Sequence, residues 1–310
     1  MVSNPILIMH NLKTNFDKFF SIAKSIFEEE VSDEGNFKHY PKKPKMSDLQ
    51  IIALSSMAEA LSIDSENWLF SKLKSDYATD FPNLIHRSNF NRRRKVLADK
   101  AAELARKACL KFRENDSEFI IDSMPVPICP NVRAGRIKVC KDDPDLMPTK
   151  AYHASHRIYY YGFKLHLVIS KEGFPFATGL TTASMHDSQY IPFLKEDNLP
   201  ECQLLGDRGY ISSTHQLSLF EQAKVRLITP MKSNMKAISV WGPKQGRIRK
   251  IIETLFSQLC DQLMIKRNYA KTLEGLFARI IAKIASVSIL KIINKMKGKP
   301  IDKIKHALLI

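Results

Sequence analysis

The sequence predicts an α/β protein: a mixed five-stranded sheet with flanking helices, preceded by an all-helical region over residues 1–115. Three observations carry this reading. The first 115 residues repeat apolar side chains at helical spacing and offer helix caps, but no strand-like run. From Glu118 onward, short apolar runs bounded by Gly, Asp and Pro alternate with helical stretches. Near the end, Arg247 to Met264 carries Ile248, Ile251, Ile252, Leu255, Phe256, Leu259 and Leu263, the stripe of an amphipathic helix. The change of pattern divides the chain into a helical region, 1–115, and an α/β region, 116–310.

In the helical region, residues 6–30 read as one helix with Ile8, Leu12, Phe16, Phe19, Phe20 and Ile26 on its apolar face. Asp33 to Lys45, rich in Lys and Pro, reads as a linker. Ser47 with Gln50 three residues later is a capping box that opens a helix through Leu61. Asp64 caps the next, and Ser88 a fourth that bears Arg92, Arg93, Arg94 and Lys95. Short helices with one basic member suit a helix-turn-helix DNA reader, and equally any small helical bundle.

In the α/β region, Phe119-Ile120-Ile121 is a continuous apolar run of the kind found in strands buried on both faces, and it ends at Asp122. A mostly basic insertion with several prolines follows, Pro125 to Arg157. Ile158 to Ser170 and Phe174 to Thr181 read as a hairpin turning at Lys171-Glu172-Gly173. Asp187 or Ser188 caps a short helix. Cys202 to Leu205 is a strand closed by Gly206-Asp207-Arg208-Gly209. Ser212 or Ser213 caps a helix to Ala223, and Val225 to Ile228 is the fifth strand. Strand, hairpin, helix, strand, helix, strand, helix is the order of a ribonuclease-H-like fold. There the first and fourth strands are parallel neighbours, and ligands bind beyond the carboxyl ends of such strands. That order brings Asp122 and Asp207 together, with Glu253 on the last helix.

Three clustered carboxylates repel one another unless a cation joins them. Asp122, Asp207 and Glu253 are therefore the expected metal ligands and catalytic residues. Two Mg²⁺ (or Mn²⁺) ions held about 3.5–4 Å apart would activate a nucleophile and stabilise a leaving oxygen in phosphodiester cleavage. Asp122 is expected to bridge both ions.

The net charge of +16 points to a polyanionic partner. The segment 241–310 holds fifteen Lys or Arg against four Asp or Glu, so most of the excess lies there. Five scattered cysteines suggest no disulfide framework, in keeping with a cytoplasmic location. The N-terminus lacks the basic start and apolar core of a signal peptide. Leu273 to Ile293 is apolar but carries Glu274, Arg279, Lys283 and Lys291. It reads as an amphipathic helix on the catalytic core, with Arg279 and Lys283 outward, and not as a membrane span.

The segments FIIDSMPVPIC, YGFKLHLVIS, GDRGY and RKIIETLFSQL resemble DDE-class transposases of bacterial insertion sequences, in particular insertion-sequence family 982. RSNFNRRRKVL and KPIDKIKHALL are also similar to that family, so the likeness runs nearly end to end. The resemblance implies a ribonuclease-H-like catalytic domain, divalent metal and transfer of DNA ends. Related transposases carry a Tyr, Arg, Glu, Lys pattern around the last acid. Arg249 matches the Arg, but Gly246 stands at the Tyr position and Cys260 at the Lys position. Neither of those two roles carries over; Lys250, Lys266 and Arg267 are candidates to substitute as phosphate contacts, which the sequence does not show. The expected activity is binding of terminal inverted repeats through Arg92, Arg93 and Arg94, cleavage there, and joining of the 3′-hydroxyl to target DNA by a homodimer or larger assembly. Lys164, Arg249 and Lys250 are the expected DNA contacts near the site. The rival readings are another nuclease of the fold, such as a junction resolvase, and a decayed copy that only binds DNA.

Other groupings carry less. Cys129, Cys140, His153 and His156 lack the short spacing of a zinc knuckle and read as loop residues. Asp142, Asp143 and Asp145 beside Pro144 read as a solvated turn. Asp187 reads as a helix cap whose change to Asn would spare activity. Lys164 and His166 alternate on one strand face next to the expected site, and read equally as contacts to the scissile phosphate or as a partly exposed strand face. Tyr159 to Tyr161 read as core and sheet edge.

Overall fold

The computed structural model describes residues 11–114, 117–153, 157–231 and 242–308. The chain forms two compact units. One joins the residues up to Ala108 with those from Leu259 onward, and the other spans Cys109–Gln258.

In the first unit, α1 (Leu12–Ile26) opens on Asn11, whose side chain accepts from the Thr14 N–H; residues 6–10 of the expected helix lie outside the described residues. Helix α2 (Asp48–Ala60) has the Ser47–Gln50 capping box complete. Its buried residues run all round the helix, from Asp48 to Glu59, so no single apolar stripe marks the face it packs with. Helix α3 (Glu66–Asp76) is capped by Ser65 rather than Asp64, and α4 (Arg87–Val96) by His86 rather than Ser88. Helix α5 (Ala98–Phe112) follows directly.

The long helix α8 (Leu273–Met296; α6 and α7 lie in the sheet unit) departs from its expected place. It packs against α1, α2 and α4 within the helical unit. Arg279 and Lys283, expected to face outward, are buried at 5% and 2% exposure. Their partner is Glu59 on α2. Arg279 Nε donates to Glu59 Oε1 at 2.9 Å, and Lys283 Nζ donates to Glu59 Oε2 and to the Leu263 carbonyl. Burial works against the Glu59 charge, but Lys283 and Arg279 outweigh it and hold the carboxyl below its usual range. Charges on a helix normally mark its wet face; here they mark a buried seam, because one carboxylate satisfies both.

The second unit is built on β1 (Glu118–Cys129), β2 (Thr149–His153), β3 (Ile158–Ser170), β4 (Pro175–Thr182), β5 (Cys202–Leu205) and β6 (Val225–Ile228). The order is β2-β3-β1-β5-β6, with β4 also paired to β3. Strand β3 runs antiparallel to both β1 and β4, while β5 pairs parallel to both β1 and β6. This is the mixed sheet, ribonuclease-H-like, that the element order predicts. The hairpin turns where expected, with Gly173 at φ 82°, a conformation that favours glycine.

Two differences concern the insertion. Strand β1 does not stop at Asp122 but runs on through Pro125 and Pro127 to Cys129, paired to β3. The Gln203 N–H donates to the Ser117 carbonyl, so odd-numbered residues of β1 turn their peptide groups toward β5. The last β5 pair is at Ile120. Both prolines are odd-numbered and lie beyond it, so their missing N–H groups break no ladder bond. The sixth strand, β2, also comes from the insertion and pairs with the first residues of β3.

Helix α6 (Ser213–Ala223) is capped by Ser212, and α7 (Pro243–Asp261) carries the stripe of the sequence prediction, with Ile248, Ile252 and Leu255 buried. A 3-10 helix covers Asp187–Lys195 and packs on α6 and on the turn Arg208–Tyr210.

Candidate active site

The site forms where β1 and β5 part. Asp122 lies two residues past the last parallel pair, Ile120 with Leu205, while its strand continues against β3. Asp207 lies two residues past the end of β5 and caps the turn Arg208–Tyr210, its Oδ1 accepting from the Gly209 N–H at 2.8 Å. Both acids thus lie just past the end of the β1–β5 pairing, Asp207 beyond the end of β5 and Asp122 within β1 on the side where its parallel neighbour has stopped.

Asp122 is 8% exposed. One carboxylate oxygen accepts from the Ser123 N–H at 2.8 Å and the other meets Arg249 at 3.5 Å. Burial and then the nearby Asp207 charge push its carboxyl up to about 7, against the pull of Arg249. Asp207 is raised too, by burial first, with Asp187 adding and Arg249 and Lys164 opposing. Two acids that resist ionising side by side are what a divalent cation relieves.

Glu253 is half-exposed on α7 and reaches the pair through Arg249, whose guanidinium sits 3.1 Å from Glu253 and 3.5 Å from Asp122. The third expected acid is therefore linked to the other two by a cation of the chain itself. Among the described residues no three His, Cys, Asp or Glu side chains are arranged to hold one ion. The oxygen-only chemistry of Asp122 and Asp207 fits a hard divalent cation, and Glu253 is a further oxygen donor on α7, tied to Asp122 through Arg249.

A fourth acid enters from the segment after β4. Asp187 is not the helix cap; His186 is, its ring accepting from the Ser188 N–H. The Asp187 carboxylate instead accepts from Ser123 Oγ at 2.9 Å and from Lys164 Nζ at 3.0 Å. Ser123 points to the opposite sheet face from Asp122 because strand side chains alternate. Only the β1–β3 register, Ser123 opposite His166 and Pro125 opposite Lys164, makes this cluster visible, so the sequence alone did not expose it.

Behind the acids, His166 is fully buried. Its Nδ1 pairs with the Tyr210 hydroxyl at 2.9 Å, its Nε2 with Thr181 Oγ1 at 3.0 Å, and its ring stacks on Tyr190 at 4.0 Å. Burial drives its pKa down to about 3, so the imidazole is neutral. It is a packing and hydrogen-bonding residue, not a phosphate contact. Lys164 is tied to Asp187 and to the Met185 carbonyl. Lys250 is exposed on α7.

The basic helix α4 divides. Arg92 is exposed. Arg93 is paired to Asp48 at 2.7 Å, and Arg94, 7% exposed, to Glu66 at 2.7 Å. The last two stitch α4 to its neighbours. Of the zinc grouping, His156 lies outside the described residues, and burial pushes the Cys140 thiol up to about 12, far from the thiolate a metal needs.

No curated protein matches the chain. A family model described as a transposase DDE domain matches residues 113–272, just over half of the chain, and spans Asp122, Asp207 and Glu253 together. The sheet, the paired aspartates and this match agree: the chain belongs to the family of transposase DDE domains.

Proposed function

We propose that the protein is the transposase of an insertion sequence of family 982, which binds the terminal inverted repeats of its element, cleaves the phosphodiester backbone and joins the 3′-hydroxyl to target DNA. The observation that supports this most is the coupling of Asp122 and Asp207 just past the end of the β1–β5 pairing, with Glu253 reached through Arg249. In this reading Asp122, Asp207 and Glu253 hold two Mg²⁺ or Mn²⁺ ions, which when bound supply an activated nucleophile and a stabilised leaving oxygen. Asp122 is anchored by the Ser123 N–H at one oxygen and turns the other toward Arg249. Asp207 is anchored likewise through the Gly209 N–H. Arg249, half-exposed between the acids, and Lys250 on the same helix are placed to meet the DNA backbone.

End recognition is assigned to the helical unit and its region 1–115. Arg92 is exposed there. The same unit holds a groove of about 770 Å³ lined by Arg87, Lys95, Arg267, Lys271 and the exposed Tyr269, with Asp64 and Glu66 also in its wall, paired to Arg267 and Arg87. Cations interleaved with an aromatic ring suit a nucleic-acid backbone and its bases. Joining requires two ends held together, so a homodimer or larger assembly on DNA is proposed, acting in the bacterial cytoplasm at the nucleoid. The test is incubation of end-labelled inverted-repeat duplex, target plasmid and Mg²⁺ with the full chain. Joined product supports the reading. Cutting without joining favours a nuclease such as a resolvase, and binding alone a decayed copy.

A further inference from the structure

We propose that Asp187 is a positioning residue of this site, holding β1, β3 and the Asp207 turn in register so that Asp122 and Asp207 are presented together. The inference rests on the reading that these two acids carry the chemistry.

Three contacts converge on one carboxylate. Ser123 Oγ, the neighbour of Asp122 on β1, donates to Asp187 Oδ1 at 2.9 Å. Lys164 Nζ, from β3, donates to the same oxygen at 3.0 Å. The third contact is with the turn that Asp207 caps. A Cβ placed on Gly209 would lie 2.6 Å from Asp187 Oδ2 and 2.9 Å from Asp207 Oδ1. A side chain there would push one or both carboxylates aside, so Gly209 is what lets the two close on one turn.

A capping role does not account for the residue, because His186 and Gln189 already complete the capping box of this 3-10 helix. A plain surface ion pair does not account for it either. Asp187 and Lys164 are only 19% and 17% exposed, and Asp187 adds its charge beside two acids that already repel. An acid kept there against repulsion is retained for what it holds. Groups that orient metal-binding side chains typically change metal affinity or activity 10–100-fold when removed.

The experiment compares wild type, Asp187→Asn, Ser123→Ala and Gly209→Ala in the full chain. It measures Mg²⁺-dependent nicking of inverted-repeat duplex, gel shift with the same DNA, thermal melting, and Mn²⁺ binding followed by electron paramagnetic resonance without DNA. Asp187→Asn is expected to raise the Mg²⁺ concentration for half-maximal nicking about tenfold and to weaken Mn²⁺ binding similarly. Gel shift should stay within about twofold. Gly209→Ala, whose methyl presses on both Asp187 and Asp207, should weaken metal binding at least as much, and Ser123→Ala, which removes a bond to Asp187 alone, should do so more mildly. If Asp187→Asn fails to fold, Ser123→Ala decides, since it touches Asp187 and leaves the Asp207 turn intact. Wild-type Mg²⁺ dependence and Mn²⁺ affinity in the folded variants overturn the proposal, as does a loss of nicking that tracks melting temperature with Mn²⁺ affinity unchanged. Asp122→Asn and Asp207→Asn are run alongside. If they also nick normally, the underlying reading has failed; if they are dead while the Asp187 and Gly209 variants are normal, only this inference has.

Discussion

Asp122→Asn should make the metal-free protein more stable, by an amount that grows from acid to neutral pH and then stays constant. Burial, with the Asp207 charge next, moves the Asp122 carboxyl from 3.8 up to about 7 in the folded chain. The folded protein then holds this proton more tightly than the unfolded chain does. Well below pH 3.8 both states are protonated and the acid costs nothing. As the pH rises, the unfolded chain ionises first, so folded stability drains away until the native carboxyl ionises near pH 7; above that the cost is constant. At about 1.36 kcal/mol per pH unit, the full gap is worth about 4 kcal/mol, and about 2 kcal/mol is already lost near pH 5. Asn has nearly the same shape and no charge, so its advantage over wild type should grow from near zero well below pH 3.8 to about 4 kcal/mol at pH 8. A chain of two units need not unfold in one step. The assay is therefore amide hydrogen exchange of β1 and β5 in EDTA at several pH values. Mg²⁺ at pH 8 should stabilise wild type and leave the Asp122→Asn variant unmoved. A variant that is less stable at pH 8, or a difference that ignores pH, would refute the electrostatic account of the site.

Two further outcomes follow from the helical unit. Glu59→Gln strips the counter-charge from buried Arg279 and Lys283 and should cost about 3–5 kcal/mol in thermal or urea melts, whereas a loss below about 1 kcal/mol would show that the seam does not need it. Arg92→Ala should weaken inverted-repeat binding and reduce its salt slope by about one, while Arg94→Ala should chiefly lower melting temperature by taking from Glu66 its buried cation and leaving it Asn91 and Arg87; gel shifts across salt and melts of both variants separate the two roles.

What the sequence revealed was local, and what it hid was long-range. The Ser47–Gln50 box, the turn at Gly173 and the strands Cys202–Leu205 and Val225–Ile228 stand where residue types place them, because a cap or an apolar run acts within a few residues. The caps His86 and His186 were missed because an imidazole acceptor is not among the usual capping side chains. Strand β1 was cut short because Pro125 and Pro127 argue against a strand, unless the edge they face has no partner there. Arg279 and Lys283 were turned outward because their partner Glu59 lies in another helix far along the chain. In the site, Asp122 and Asp207 were legible from the strand order. Asp187 was not, since its contacts depend on which residue of β1 faces which residue of β3.

The central claim is that Asp122, Asp207 and Glu253 together carry phosphoryl transfer on DNA bound elsewhere in the chain. The most direct measurement is Mg²⁺-dependent nicking and joining of an end-labelled inverted-repeat duplex by Asp122→Asn, Asp207→Asn and Glu253→Gln, with a gel shift on the same DNA. Each variant should lose nicking and joining by at least about a hundredfold while its gel shift stays within about twofold of wild type. Substantial nicking by any one of the three would remove that residue from the site, and parallel loss of binding and nicking in all three would contradict the separation of chemistry from recognition.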